Sequence, residues 1–330
     1  MTAIELRLVD GDLLTTAVDL VCFKHAQSFY GADAAGVARL CAGGRYRDDD
    51  FRVADGADRV VATAGALTAP RAAFLGTARL GDLRYHELRV LASRMLAVAE
   101  REGARTVATT VHGVQSGLDA DEAALALVGG FIDGFQRGHG RGVAEVVIVE
   151  QHARRSQRMR VALAAGLANT VGVTAHGGGF RIERSAGFTQ AASLASAGTT
   201  SLAKPHAFVA MPFAPELDDA FHYGIAGPVK AAGLLCERVD QAVFDGLIIG
   251  RIRERIDSAR VVIADLSMAN PNVYLEVGYA WGRGRPTILL VRDLKELRFD
   301  VQGYRCLAYS SIRHLEQLLT AELASLGSAM

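Results

Sequence analysis

The sequence predicts an α/β protein of two domains, each a three-layer α/β/α sandwich. Short β-branched apolar runs alternate with amphipathic helical runs at the spacing of parallel sheets. At 330 residues with 50% hydrophobic content, the chain is long enough for two ordinary cores. A stretch rich in Gly, Ser, Ala and Thr over residues 175–204 is expected to be a linker, separating residues 1–174 from residues 205–330.

In the first domain, Ile4 to Val9 alternates as a half-exposed strand, Asp10-Gly-Asp12 makes a turn, and Asp19 to Phe23 reads as a buried strand. Tyr30 to Gly36 is rich in Gly and Ala and reads as a loop. Val60 to Ala64 and Ala72 to Gly76 are further strands, and Tyr85 to Gly103 is a helix with Leu88, Leu91, Met95 and Leu96 on one face. The strand Thr106 to Thr110 opens into a loop carrying Gly113 and Gly117 before a helix from Asp121 to about Gln136. A glycine-bearing loop at a helix N-terminus suits a phosphate, although many such loops merely turn the chain. Val146 to Glu150 is the last strand expected, followed by a helix from Arg154 to Leu167. Its run Arg154, Arg155, Arg158, Arg160 reads as a solvated face.

The second domain restarts with the strand His206 to Met211, ending at Pro212 and Phe213. A helix over Glu216 to Ala232, a strand over Leu234 to Arg238 and a helix over Gly246 to Ser258 follow. Val261 to Ala264 is an apolar run without alternation, as in a strand covered on both faces, and Asp265 marks its end. Asn270 before Pro271 is a helix cap with proline at the first helical position, so a helix runs to about Gly282. Thr287 to Val291, an edge strand before Tyr309 and a helix from Ile312 to Leu326 complete a flavodoxin-like, doubly wound sheet.

Glu276 is the only charge between Asp265 and Arg283. A carboxylate on so apolar a helix is either satisfied by the helix N-terminus and an arginine, or stands at the crevice outside the carboxyl ends of the strands. Asn272 lies one turn earlier on the same stripe. Phe213 and Tyr223 are candidates to flank a base, although an aromatic after a strand is more often core.

Thirty-six basic and 36 acidic residues balance to zero, which argues against general nucleic-acid binding. The four cysteines, Cys22, Cys41, Cys236 and Cys306, lack metal spacing and read as reduced thiols. No apolar run reaches the roughly 18 residues of a membrane helix, and the N-terminus has no signal-peptide pattern, so a cytoplasmic protein is expected.

Val9-Asp-Gly-Asp12-Leu-Leu ahead of a buried strand, the Gly31 to Gly36 segment and Thr110-Val-His-Gly113-Val-Gln-Ser-Gly117 carry a resemblance of residues 5–167 to macro domains. The nearest type is the macro-like domain at the N-terminus of leucine aminopeptidases. The resemblance implies that Asp12 meets an adenine and that Gly31, Gly36, Gly113 and Gly117 belong to loops around the phosphates of a nucleotide signal ligand. Lys24-His25-Ala26 stands where hydrolysing members carry an asparagine, which implies binding or a scaffold role rather than catalysis.

Phe208-Val-Ala-Met211-Pro212-Phe213, Asp245 ahead of an isoleucine-rich helix, Ile263-Ala-Asp265, Asn270-Pro-Asn272-Val-Tyr-Leu-Glu276 and Gly284-Arg-Pro286 carry a second resemblance. Residues 206–309 resemble the nucleoside 2-deoxyribosyltransferase-like family, which shares its fold and glutamate with Toll/interleukin receptor (TIR) domains. The resemblance implies Glu276 as the carboxylate beneath the sugar, assisted by Asp245 and Asp265, with Met211, Pro212, Phe213, Asn270 and Asn272 binding substrate. It implies an N-glycosidase acting on NAD+ or a related nucleotide, in the manner of bacterial antiviral effectors. The alternatives are a deoxyribosyltransferase or hydrolase of nucleotide salvage, and a nucleotide receptor that acts by assembly. Asn270 stands where the transferases carry an aspartate, which favours water as the acceptor. No cofactor or metal is expected, NAD+ entering only as substrate, and a homo-oligomer is expected. Nicotinamide leaves NAD+ as a neutral base and needs no general acid, whereas other bases do, for which His222 is the residue to test.

Overall fold

The computed structural model describes residues 3–239 and 248–328. It divides into two compact units, Met1–Val114 with Ala120–Ser201, and Gln115–Asp119 with Leu202–Met330.

In the first unit β1 (Ala3–Asp10), β2 (Leu20–His25), β3 (Asp58–Ala62), β4 (Arg71–Gly76), β5 (Thr106–Thr110), β6 (Glu145–Glu150), β7 (Val173–His176) and β8 (Gly179–Glu183) form one sheet. Its order is β3-β4-β2-β5-β6-β1-β8-β7. The strands from β4 to β1 run parallel, and β3 and the β7–β8 hairpin add antiparallel edges. The helix α1 (Gly31–Ala42) covers a face lined by Val21, Phe23, Phe74 and Ala108. This corrects the loop expected at 31–36. Alanines favour a helix, and Gly36 lets α1 approach the sheet, since a Cβ there would stand 2.7 Å from the Phe23 ring.

The helices α2 (Tyr85–Arg101) and α3 (Ala120–Gln136) pack together, and α4 (Ala153–Leu167) packs on α3, β1 and β6. The arginine run of α4 is not simply a solvated face. Arg155 pairs at 2.6 Å with the buried Glu150, and Arg160 reaches Asp10 at 2.8 Å, tying the helix to strand ends.

The segment expected as a linker is also ordered. It contributes the β7–β8 hairpin, which extends the sheet past β1, and the short helix α5 (Ala192–Ser196). Arg89 on α2 holds this segment by donating to the Leu194 carbonyl at 2.7 Å, to the Ala197 carbonyl and to Gln190 Oε1 at 2.7 Å. Asp133 on α3 accepts from the same guanidinium at 2.6 Å. A composition low in side-chain contacts is thus fixed through its backbone carbonyls.

In the second unit β9 (His206–Ala210), β10 (Leu235–Glu237), β11 (Val261–Asp265), β12 (Thr287–Val291) and β13 (Cys306–Ala308) form a fully parallel sheet ordered β10-β9-β11-β12-β13. In order of appearance this is 2-1-3-4-5, the doubly wound pattern expected. Alternate residues face opposite layers. Ala207, Val209, Ile263 and Leu290 pack with α6 (Pro215–Asp219), α7 (Ala226–Ala231) and α10 (Ile312–Ser328). Phe208, Ala210, Val262 and Ala264 pack with α8 (Ile248–Ser258) and α9 (Pro271–Gly282).

One continuous helix was expected over 216–232, but a π turn over Ala220–Ile225 divides it. Pro228 has no N–H for the Gly224 carbonyl and its ring crowds that oxygen, so the preceding turn loosens. Among the described residues no helix is long and apolar enough to cross a membrane.

Candidate active site

The strand order of the second sheet reverses between β9 and β11, and the chain leaves these strands toward opposite layers. This opens the crevice in which such sheets bind ligands. One wall is the Met211 to Phe213 turn leading to α6. The other is the 266–270 turn leading to α9.

Asn270 caps α9, its Oδ1 accepting the Asn272 N–H at 2.9 Å, with Pro271 at the first helical position as the sequence predicts. Just before the cap, Met268 and Ala269 have φ of 65° and 47°. Two successive non-glycine residues in the left-handed region are costly and need support from their surroundings. Glu296 supplies part of it, accepting the Met268 N–H at 2.8 Å.

Glu276 sits on the inward face of α9, 7% exposed, beside the buried Val273, Val277 and Ala280. Asn272, one turn earlier, is exposed. Trp281, a further turn along from Val273 and Val277, packs partly buried against the same apolar cluster and stacks on Tyr304, with ring centroids 4.2 Å apart.

Asp265 lies on the opposite face of β11 from α9, the helix that carries Glu276. It follows Val261 and Ile263 on the α10 side of the sheet and is fully buried. Its Oδ2 accepts from Tyr309 Oη at 2.7 Å and its Oδ1 from the Ser267 N–H at 3.0 Å. Burial and then the neighbouring carboxylate push the Tyr309 phenol up to about 12. Asp265 is therefore a structural tie between the end of β11 and the chain after β13. Tyr309→Phe should lower stability by about 2 kcal/mol, as expected for a buried hydrogen bond to a charge, read as a shifted urea midpoint. Loss of activity with an unchanged midpoint would return Asp265 to the chemistry. Asp245 lies outside the described residues.

Met211 and Pro212 are buried, whereas Phe213 and Tyr223 are 43% and 44% exposed, so neither aromatic is core. Arg238, a residue the sequence reading did not single out, lies with its guanidinium carbon 3.6 Å from the centre of the Phe213 ring. His222 is on the π turn, in the layer that packs on α10, opposite α9.

In the first unit, Asp12 caps a short 3₁₀ turn, its Oδ1 accepting the Leu14 N–H at 2.9 Å. Gly31, with φ of 55°, opens α1. Gly36 is a packing residue inside α1 rather than part of a phosphate loop. The expected 113–117 loop is divided, with Gly113 in the first unit and Gln115–Asp119 in the second. There Ser116 bridges to Val239, Asp119 accepts the Cys236 N–H at 2.9 Å, and a Cβ on Gly117 would stand 2.7 Å from Val239 Cγ2.

Sequence reading also missed a buried charged cluster at the ends of β2 and β5. Lys24 Nζ pairs with Asp33 at 2.5 Å, both almost wholly buried, and Asp33 also accepts the Lys24 N–H at 3.1 Å. His112 Nδ1 stands 3.9 Å from the same carboxylate, and its Nε2 stands 3.2 Å from Thr109 Oγ1. Burial holds the imidazole well down, at about 4, so it is neutral near pH 7. The available signal was Lys24-His25 closing an otherwise apolar strand.

No protein-family model matches the chain, and no curated protein matches it. Several solved structures are similar to it. An Oceanobacillus iheyensis macrodomain with ADP aligns 95% of its length with 49% of this chain, at 14% identity and a TM-score of 0.39. A Trypanosoma brucei macrodomain in complex with ADP aligns 68% of its length with 48% of this chain, at 15% identity and a TM-score of 0.41. A mutant tomato leucine aminopeptidase aligns 89% of its length with 97% of this chain, at 9% identity and a TM-score of 0.34.

Proposed function

We propose that the second unit cleaves the bond between ribose and base in a nucleotide, with NAD+ as substrate and water as acceptor. The observation that carries this reading is Glu276, a carboxylate 7% exposed on a capped helix that packs over the strands where the sheet order reverses. Breaking the C1′–N bond leaves positive charge on C1′ and the ring oxygen, and a desolvated carboxylate beneath the sugar stabilises that charge. The bonding electrons leave with nicotinamide, whose ring nitrogen thereby becomes neutral. Water then adds to C1′ and releases a proton, giving ADP-ribose. Placement of His222 in the opposite layer supports a leaving group that needs no proton. A time course with NAD+ should show nicotinamide accumulating. Intact NAD+ alongside deoxynucleosides that lose their bases would establish the salvage-type reaction instead.

For the first unit, the proposal is nucleotide binding without hydrolysis. Asp12 is the residue that the resemblance puts against the base, and its cap bond and the bonds of Thr15 and Thr16 to its carbonyl fix it in place at the turn after β1. Calorimetry of ADP-ribose on the full chain carrying Glu276→Gln should show binding that Asp12→Asn weakens about tenfold, the loss of a charge-assisted hydrogen bond. Absence of heat with ADP-ribose, NAD+ and cyclic nucleotides would leave a scaffold role.

A further inference from the structure

We propose that the stretch 268–304 of the second unit carries a self-association surface, through which two copies of this chain pair about a two-fold axis. The inference is independent of the cleavage reading above. Among the described residues twelve large hydrophobic side chains are exposed, and five of them, Met268, Leu275, Leu294, Phe299 and Tyr304, fall in this one stretch. Scattered singly such residues need no explanation, whereas a cluster does. Three contacts gather them where the outer side of α9 meets the connection from β12 to β13. Glu296, two residues after Leu294, accepts the Met268 N–H at 2.8 Å. The N–H of Arg298, next to Phe299, donates to Tyr274 Oη on α9 at 3.1 Å. Tyr304 stacks on Trp281, two turns along α9 from Tyr274. Phe299 itself is 82% exposed, so almost nothing within the chain covers it. On the helix surface between Tyr274, Leu275 and Trp281 stands Gly278, where a Cβ would meet nothing within 4 Å.

The area suits a dimer. At roughly 200 Å² for a whole side chain, the five expose on the order of 600 Å², the upper end for a chain that stays alone. Apposing a second copy removes about 1,200 Å² in total, the lower bound of specific interfaces before any polar rim is counted. The charges select the partner. Asp293 and Lys295 flank Leu294, and Arg298 and Asp300 flank Phe299; all four are exposed, and among the described residues none of them is in an ion pair. Two of each sign make this rim neutral, so a strongly acidic or strongly basic partner gains nothing from it. Across a two-fold axis the patch meets itself, apolar centre on apolar centre, and the carboxylates of one copy face the cations of the other.

Sedimentation equilibrium of the full chain tests this, each variant first being shown to melt cooperatively. Wild type should weigh twice the chain mass at about 100 μM and dissociate on dilution with a Kd of about 1–10 μM, as an interface near the lower size limit implies. Phe299→Asp should raise that Kd at least about 100-fold, the loss of a central aromatic anchor. Gly278→Arg, which favours the helix and puts a bulky cation into open space, should do the same by blocking approach. Lys295→Glu with Arg298→Glu makes the whole rim acidic, and Asp293→Lys with Asp300→Lys makes it basic. Each double variant should be monomeric alone, and an equimolar mixture should recover the dimer, since only a surface that faces itself makes these two variants complementary. A wild-type chain that stays monomeric at the same concentration overturns the assignment and leaves the patch to a different partner. A dimer that Phe299→Asp and Gly278→Arg leave intact, or a mixture of the charge variants that stays monomeric, overturns it as well.

Discussion

Glu276→Gln should lower base release by about 10³-fold, the cost of removing one preorganised group that faces transition-state charge. The change keeps side-chain size and removes only the negative charge. The amide keeps the shape of the side chain and an oxygen that accepts hydrogen bonds, so the melting temperature should stay within a few degrees of wild type. KM should change little, because the carboxylate acts on charge that develops after binding. Turnover near the wild-type rate would remove Glu276 from the chemistry. A collapse of the melting transition would instead make it part of a structural ion pair.

The second large effect concerns the first unit. Asp33→Ala should cost about 3–5 kcal/mol of stability, because it leaves the Lys24 ammonium buried without its carboxylate. Replacing the pair together, as Lys24→Met with Asp33→Leu, should recover most of that loss, since a buried pair costs nearly as much to desolvate as it returns. Urea unfolding of the two variants decides it, and a small loss from Asp33→Ala alone would show that water reaches the cluster. His112, beside the same carboxylate, adds a pH dependence. Its folded-state pKa lies at about 4, below the ordinary 6.5, so between these values the unfolded chain binds the extra proton. Stability is retained above about 6.5 and falls by roughly 3 kcal/mol as pH drops toward 4, a loss that His112→Gln should abolish.

Much of the second unit was legible in the sequence because its signals are local. Asn270-Pro271 places a helix start, and the unbroken apolar run before Asp265 marks a strand buried on both faces. Features that depend on packing were not legible. Gly31 to Gly36 reads as a loop until Phe23 is seen to need a glycine facing it. The short helix within 175–204 is held by Arg89, about a hundred residues away in sequence, and the hairpin by pairing with β1 at the start of the chain. An apolar run without alternation does not say which side of β11 Asp265 faces, and only the layers show that α9 lies on the other. Lys24 with Asp33, and Phe213 with Arg238, are pairs made by chain crossings that no residue spacing announces.

The central claim is cleavage at the glycosidic carbon assisted by Glu276, and isotope-labelled solvent tests it most directly. Wild-type protein is incubated with NAD+ in water enriched in oxygen-18, and the products are weighed by mass spectrometry. The account predicts unlabelled nicotinamide together with ADP-ribose carrying one heavy oxygen on C1′, and neither product with Glu276→Gln. Label on a phosphate, or the same products at the same rate from Glu276→Gln, would contradict it.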